Sequence, residues 1–487
     1  MKIKKGSNLL EEVRAQAALS ALCNGRGMCG KCKVKLDKAL SVSEVEVKLL
    51  NQLQIDQNIR LACQHPMLEE DVQVSLVDKE NMVVLGLDKG RVDIKRASSE
   101  LLLAIDLGTT TVVMVLIDGK SGEVLLEHKL ANPQRTYGAD VLSRIEVTLT
   151  HNDVFHRLIK CEVKKIVADI VLRYPSKSLT IGITGNTTMS HLWLNADVRP
   201  LVQLPYRPSV TKLVTQSIKA ELGIDVEGSI MVYPPIAAYL GSDILAGMSL
   251  VNLFETRENI LFIDLGTNGE IVLVSEGQLN ATSTAAGPAF EGVNMSSGCG
   301  AMDGAMDHFF VSESKINYTT INEGSPIGIC GSGYIDLISC LLDGPLESSG
   351  YMKKEVVLHD HPRISITQKD IREFQLAKAA IRSGMDMCLI RAGISYDQLD
   401  SLIIAGGFGK HINLDAAIKI GLIPKECKGN TVFIGNSSLA GCVSWLSEEK
   451  KVPSQWNIES IKVVELASSA KWLELFSEHM MFEGGNL

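Results

Sequence analysis

No run in this 487-residue chain approaches the roughly 18 apolar residues that a membrane-spanning helix requires, so no such span is expected. The opening MKIKKGSNLLEE lacks the continuous apolar core and small-residue cleavage site of a secretory signal, and the expected location is cytoplasmic. Basic excess is missing too. The net charge is −9, no arginine-rich or aromatic-interleaved stripe occurs, and nucleic acid is not an expected partner. Without export the eleven cysteines face a reducing environment, which favours thiols, metal ligands and buried side chains over a disulfide framework. What remains is an ordinary globular composition, 45% hydrophobic and 22% charged, over a length that predicts about three or four folding units.

Three cysteines crowd into CNGRGMCGKC, namely Cys23, Cys29 and Cys32, and Cys63 follows in RLACQ. A loop presenting three thiolates, closed by a fourth from elsewhere in the fold, suits a [2Fe-2S] cluster of the ferredoxin kind, with the first gap one residue longer than the usual plant spacing. Gly25, Gly27 and Gly30 let a backbone fold tightly round a cluster and turn its N–H groups toward sulfur. Zinc also accepts four cysteines, but its structural sites usually take them as two close couples rather than three plus one. The unit built round this loop is expected to span 1–77. It should hold a turn and short helix over Gly6 to Gln16, a strand over Lys33 to Leu36, and a strand in which Val72, Val74 and Leu76 alternate. Only Met1 to Lys5 precede the turn at Lys5-Gly6-Ser7, so the first strand is expected to be short or missing. A polar, charged linker is expected over 78–100.

Beyond the linker, LLLAIDLGTTTVVMVLID from Leu101 recurs in outline as ILFIDLGTNGEIVLVSEG from Ile260. Each copy reads as a buried strand ending in Asp, a Leu-Gly-Thr turn and a second buried strand, and in the first copy a GKSG turn leads to a third strand over Glu123 to Lys129. The duplication predicts an α/β core of two lobes, 101–258 and 259–487. Gly108 and Gly266 permit close approach of phosphate oxygens, Thr109, Thr110, Thr111, Thr267 and Asn268 add donors, and Asp106 and Asp264 are placed to hold Mg2+ through water. One Gly-Thr turn alone is an ordinary hairpin. Two at matching strand positions point to a nucleotide gripped between lobes, helped by IIAGGFG with its glycine turn at Gly406, Gly407 and Gly409. GICGSG, Gly328 to Gly333, is expected as a tight turn lining the same cleft. TQKDIREFQLAKAAIRSGMDMC predicts a helix capped by Thr367 and Asp370, with Phe374, Ala377, Ile381, Met385 and Cys388 on its core face. Cys299 and Cys330 read as buried thiols, and His191 and His411 as structural histidines.

The two-lobed unit resembles the superfamily of actin, sugar kinases and heat-shock chaperones, which implies an actin-like (ribonuclease H-like) fold. Its phosphate motifs fall at Asp106 to Thr111 and Asp264 to Asn268, and its adenosine motif at Gly406 to Gly409. The whole chain resembles a narrower family, the ATP-dependent reductive activators of corrinoid proteins. A β-grasp ferredoxin-like domain stands ahead of the ATPase, and the motifs NPQRTYGADVLSRI, GNTTMSHLWL, TAAGPAFEG, GICGSGYIDLI, QKDIREFQLAKAAI, AGGFGKHI and GNSSLAG follow in order. Members often carry a small extra domain between the two parts, where this chain has only the linker.

That resemblance implies a [2Fe-2S] cluster, ATP and Mg2+ as cofactors, and reduction of inactive cob(II) to cob(I) as the reaction. It implies as partners a corrinoid protein of a methyltransferase system and a low-potential electron donor, with a homodimer among the expected assemblies. It also implies that the segment Ser283 to Glu291 approaches the corrinoid, Ser283 or Thr284 offering a hydroxyl oxygen to cobalt, Phe290 packing on the macrocycle and Glu291 adding a contact. Two other readings compete: a small-molecule kinase with a redox-sensing ferredoxin domain, and a nucleotide-switched metallochaperone. In both the cluster delivers no electron to a partner.

Overall fold

The computed structural model describes residues 1–16, 32–50, 55–76, 92, 94, 99–138, 140–150, 153–175, 177–292, 294–313, 315–406, 412–448, 458–466 and 469–482. It divides into two units, Met1–Val83 and Val84–Leu487. That division falls inside the stretch expected as a linker, most of which lies outside the described residues.

The first unit is a four-stranded sheet of β1 (Lys2–Ile3), β2 (Lys33–Leu36), β3 (Ile59–Leu61) and β4 (Val72–Leu76) in the order β1-β4-β2-β3. Strand β1 has only two residues but pairs antiparallel with β4 through Lys2↔Gln73 and Ile3↔Val72, so the shortened edge still places Ile3 in the core. Helix Leu9–Gln16 contributes Leu9 and Val13 to that core, where they meet Val34, Leu61 and Val74. Val74 and Val72 point inward and Gln73 outward, the period of a half-buried strand.

The second unit holds two six-stranded sheets. In the first, β5 (Leu101–Leu107), β6 (Thr111–Asp118), β7 (Val124–Ala131), β8 (Leu179–Gly185), β9 (Val214–Ser217) and β10 (Gly228–Val232) run in the order β7-β6-β5-β8-β10-β9. The chain continues through β11 (Ile260–Leu265), β12 (Gly269–Ser275), β13 (Gln278–Thr284), β14 (Ala305–Ser312), β15 (Lys315–Thr320), β16 (Gly328–Ile329), β17 (Val356–His359) and β18 (Ile364–Ile366). It closes with β19 (Ser401–Ala405), β20 (Thr431–Gly435) and β21 (Lys462–Val463), and the second sheet runs β20-β19-β11-β12-β13-β21. The repeat is structural: β5 pairs antiparallel with β6 and parallel with β8, as β11 pairs antiparallel with β12 and parallel with β19.

Strand β5 is apolar on both faces because both are covered. Leu101, Leu103 and Ile105 pack with Phe155, Ile159 and Val163 of helix Val154–Arg173, while Leu102 and Ala104 pack with Leu439 and Cys442 of helix Ser437–Ser447. The strands respect the boundary between 258 and 259, but two helices bridge it, Ser242–Leu250 also placing Leu245 and Ala246 in the core of the first sheet. Helix Ser242–Leu250 sends Ile244 and Met248 into the core beneath Ile260 and Phe262 of β11, whereas Ser437–Ser447 lies on the first sheet. They pass each other where a glycine on one helix faces a small residue on the other, Gly441 against Ala246 and Gly247 against Ser437. A Cβ on Gly441 would stand 2.3 Å from the Ala246 carbonyl oxygen, and one on Gly247 would stand 2.7 Å from Ser437 Oγ.

Helix Gln368–Ala392 begins at the expected Thr367–Asp370 capping box, and Phe374, Ala377, Ile381, Met385 and Cys388 are buried. GICGSG departs from expectation. It is strand β16 running straight into helix Gly331–Leu341 rather than a tight turn, and a Cβ on Gly331 would stand 1.8 Å from the Phe290 carbonyl oxygen. Its glycines serve helix-to-loop packing. Among the described residues, no helix is long and apolar enough to cross a membrane.

Candidate functional site

In the first unit the sheet brings two of the four expected cluster ligands side by side. Lys33 pairs with Leu61 in the β2–β3 ladder, and just beyond it the Ala62 N–H donates to the Cys32 carbonyl at 2.9 Å. Cys32 is buried, Cys63 is half-buried on the short turn Ala62–Gln64, and Gln64 Nε2 donates to Cys63 Sγ at 3.4 Å. Cys23 and Cys29 lie outside the described residues. The turn carrying Cys63 is fastened by Glu46, which has no exposed surface and accepts from Leu61 N at 2.7 Å, Ser43 N at 2.8 Å and His65 Nε2 at 3.1 Å. Burial pushes the Glu46 carboxyl up, but the His65 ring and the two N–H donors outweigh it and hold it below the ordinary range.

In the second unit the two Asp-Leu-Gly-Thr hairpins face one another. Thr110 Oγ1 stands 3.4 Å from Thr267 Oγ1. The aspartates at the strand ends are clamped by three consecutive residues at the start of one helix: Asn436 Nδ2 and Ser438 Oγ each donate to Asp106 at 2.8 Å, and Ser437 Oγ donates to Asp264 at 3.1 Å. GNSSLAG thus joins the two Asp-Leu-Gly-Thr hairpins. Two further carboxylates, not singled out by sequence, close the set. Asp243 starts helix Ser242–Leu250, and Glu270 lies directly opposite Asp264 in the β11–β12 ladder. Burial, then the charge of Asp106, pushes Asp264 up to about 7. Burial, with the charges of Asp264 and Asp106, does the same to Asp243, and burial with Asp243 and Asp264 raises Glu270 well above its ordinary range. Among the described residues no three His, Cys, Asp or Glu side chains converge closely enough to hold a metal ion by themselves, so these carboxylates form a mutually repelling cluster rather than a closed coordination shell.

The first Asp-Leu-Gly-Thr turn has its own scaffold, built from NPQRTYGADVLSRI and GNTTMSHLWL. Asn132 Nδ2 donates to the Gly108 carbonyl at 2.7 Å, and Asn186 Nδ2 donates to Thr109 Oγ1 at 2.8 Å. Arg144 has no exposed surface and donates to the Thr109 carbonyl at 2.6 Å and the Gly138 carbonyl at 3.0 Å. Thr111 starts β6 and Asn268 ends the second turn, whose Gly266 N–H donates to the Asn268 carbonyl at 3.0 Å. Gly406 follows β19 at φ +114°, where a Cβ would stand 2.2 Å from the Leu265 carbonyl oxygen, so glycine is required beside the second hairpin. Gly407, Gly409 and His411 lie outside the described residues.

The segment expected to approach a corrinoid is only partly available. Thr284 is buried and donates to the Gly269 carbonyl at 3.3 Å, and Ser283 is half-buried opposite Glu270. Phe290 has no exposed surface and stacks edge-on against Phe374 with ring centroids 5.2 Å apart. In this conformation it fills the core, which corrects the expectation that it packs on a macrocycle. Glu291 reaches the second Asp-Leu-Gly-Thr hairpin, accepting from Thr267 Oγ1 at 2.8 Å. His191 is structural as expected, with Nδ1 2.7 Å from the Thr187 carbonyl and Nε2 accepting from Ser209 N at 3.0 Å, and burial lowers its pKa.

Known proteins divide the chain in the same way. Residues 1–68 match the 2Fe-2S iron-sulfur cluster binding domain, 101–256 the RACo middle region, and 258–487 the C-terminal domain of RACo, the ASKHA domain. The corrinoid activation enzyme RamQ of Eubacterium limosum is 30% identical over 417 residues, 78% of this chain and 70% of that one. A [Co(II) methylated amine-specific corrinoid protein] reductase of Methanosarcina barkeri is 26% identical over 377 residues, 69% of this chain and 68% of that one. A solved structure of a reductive activator for corrinoid, iron-sulfur protein superposes with a TM-score of 0.71 at 27% identity, covering 99% of this chain and 96% of that one. A ferredoxin-type domain joined to a duplicated ATPase-type core, matched over nearly all its length, makes this chain a member of the family of reductive activators of corrinoid proteins.

Proposed function

We propose that this protein returns an electron to a corrinoid protein stranded as cob(II), regenerating cob(I) at the expense of ATP. The observation that carries this reading is the clamp of Asn436, Ser437 and Ser438 on Asp106 and Asp264, which ties two phosphate hairpins to one rigid helix in a chain that also carries a ferredoxin-type domain. Cys23, Cys29, Cys32 and Cys63 hold the [2Fe-2S] cluster, which supplies one-electron transfer when bound. Plant-type ferredoxins sit at about −400 mV. Each further 100 mV costs roughly 2.3 kcal/mol by the charge-times-potential conversion, so a cluster alone does not drive reduction to a still lower potential. Lobe movement coupled to hydrolysis supplies what is missing, by changing access to the partner's cobalt or its ligation.

In the cleft, Thr109 to Thr111, Thr267 and Asn268 bind phosphate oxygens and Gly406 to Gly409 line the adenosine side. Asp106 and Asp264 would hold Mg2+, which would supply electrostatic stabilisation of the transferring phosphate, and Ser437, Ser438 and Asn436 fix their carboxylates in place for it. A low-potential reductase or ferredoxin feeds the cluster, the protein works in the cytoplasm, and Ser283 lies nearest the corrinoid.

The raised carboxyls set a pH dependence. A carboxyl near 7 holds its proton below that pH, so cation and proton compete, and binding strengthens as pH rises. Apparent Mg2+ affinity in the nucleotide complex is expected to fall about tenfold from pH 8 to pH 6 for one competing proton. Titration calorimetry of the parent against Asp264→Asn checks this, since the variant should lose most of the dependence, and equal slopes would count against the assignment. The function itself is tested by mixing reduced protein with a cob(II)-state corrinoid protein, with and without ATP, and following the cob(I) absorption band. The band should require ATP. A phosphorylated small molecule would favour the kinase reading, and acceleration by an apo-protein with cobalt unchanged would favour the chaperone.

A further inference from the structure

The Glu291 carboxylate occupies ground that a phosphate needs. It accepts the Thr267 hydroxyl at 2.8 Å, and it lies above the turn glycine, where a Cβ on Gly266 would stand 3.9 Å from Glu291 Oε1. Thr267 has a single hydroxyl proton, and its oxygen already stands 3.4 Å from Thr110 of the opposite hairpin. A phosphate oxygen between the two hairpins therefore meets a donor already in use and an anion at its side. Both effects favour displacement of Glu291, one by competition for the proton and the other by like-charge repulsion.

The segment that would move is bounded for it. Glu291 ends the single turn Pro288–Glu291, flanked by Gly287 at φ +75° and Gly292 at φ +72°. Nothing stands within 4 Å of a Cβ on Gly287, whereas one on Gly292 would stand 2.3 Å from the Cys299 carbonyl oxygen. One end is thus open and the other backed by a neighbouring loop. Inside the turn, Phe290 is wedged against Phe374, so displacement of Glu291 bears on the core contact that keeps this aromatic buried.

We propose that Glu291 is a positioning residue that reports the terminal phosphate of a nucleoside triphosphate to the segment Ser283–Glu291, released by triphosphate and recaptured by Thr267 in the diphosphate state. This rests on the reading of the cleft as a nucleotide site but requires no corrinoid protein for its test. The experiment is hydrogen–deuterium exchange of the peptide 285–292 in the full chain, without nucleotide, with Mg2+ and ADP, and with Mg2+ and a non-hydrolysable ATP analogue, nucleotide binding being verified by calorimetry. Exchange in the parent should be slow without nucleotide and with ADP, and roughly five- to tenfold faster with the analogue, the lower range of ordinary coupling between sites. Glu291→Ala should exchange fast in all three conditions. Thr267→Ser, which keeps a hydroxyl, should retain the nucleotide response that Thr267→Val loses. A role in packing alone would make Glu291→Ala fast without giving the parent any response to the terminal phosphate. Equal parental exchange with bound ADP and bound analogue overturns this proposal and leaves the nucleotide site standing. Failure of the parent to bind either nucleotide overturns both.

Discussion

The Cys32→Ser protein, supplied with reductant, ATP and a cob(II)-state corrinoid protein, is expected to give no cob(I) absorption band while still hydrolysing ATP. Serine offers a hard, protonated oxygen where a cluster needs a thiolate, and position 32 sits at the root of β2, tied through its carbonyl to Ala62 beside Cys63. The two units have separate cores, so losing the cluster should leave the ATPase folded. Because Cys32 is buried, Cys63→Ser at a half-exposed position serves as the second variant. Both should lose the reduced-cluster electron paramagnetic resonance signal together with the band. A band of parental yield from protein shown to lack the cluster would remove the ferredoxin-type domain from the electron path.

Asp264→Asn should lower ATP hydrolysis by about 10²- to 10³-fold, the usual effect of removing one electrostatic contributor to a transition state, while affinity for ATP changes much less. Asparagine can still accept from Ser437, and the main-chain phosphate cradle is untouched, so the loss falls on the chemical step. A second readout distinguishes this from local misfolding. The charge of Asp264 is one of the causes that raise Asp243 and Glu270, so removing it should move the acid limb of the residual pH–rate profile toward lower pH. Parental rates in this variant and in Asp106→Asn would show that the hairpins do not handle phosphate.

Features written in a few neighbouring residues were readable from sequence. The Asp-Leu-Gly-Thr hairpins, the Thr367 cap and the period-two strand at Val72 to Leu76 are such features, because each is fixed by turn chemistry or hydrophobic period. Asp243 and Glu270 were missed for the opposite reason. Neither has a local signature, and only folding sets them beside Asp264. Ser438 and Asn436 act on Asp106 from the far end of the chain, so GNSSLAG could be quoted as a motif without its task being visible. Phe290 was assigned to a partner by resemblance alone, and nothing nearby in sequence announces Phe374, against which it packs.

Two helices cross a few residues from the clamped aspartates, and that crossing would be the axis of any rotation between the two sheets. Helices Ser242–Leu250 and Ser437–Ser447 touch at Gly441, with Asn436, Ser437 and Ser438, which grip Asp106 and Asp264, at the start of one and Asp243 in the first turn of the other. Displacement in a rotation grows with distance from the axis. Edge strands β7 and β9 are separated from β5 and β8 by one strand each, at about 4.8 Å per step, so a turn of roughly 10° that barely disturbs the carboxylates would carry the sheet margins by about 2 Å. A methyl group at Gly441 would jam this pivot without touching a phosphate, a metal ligand or a thiol.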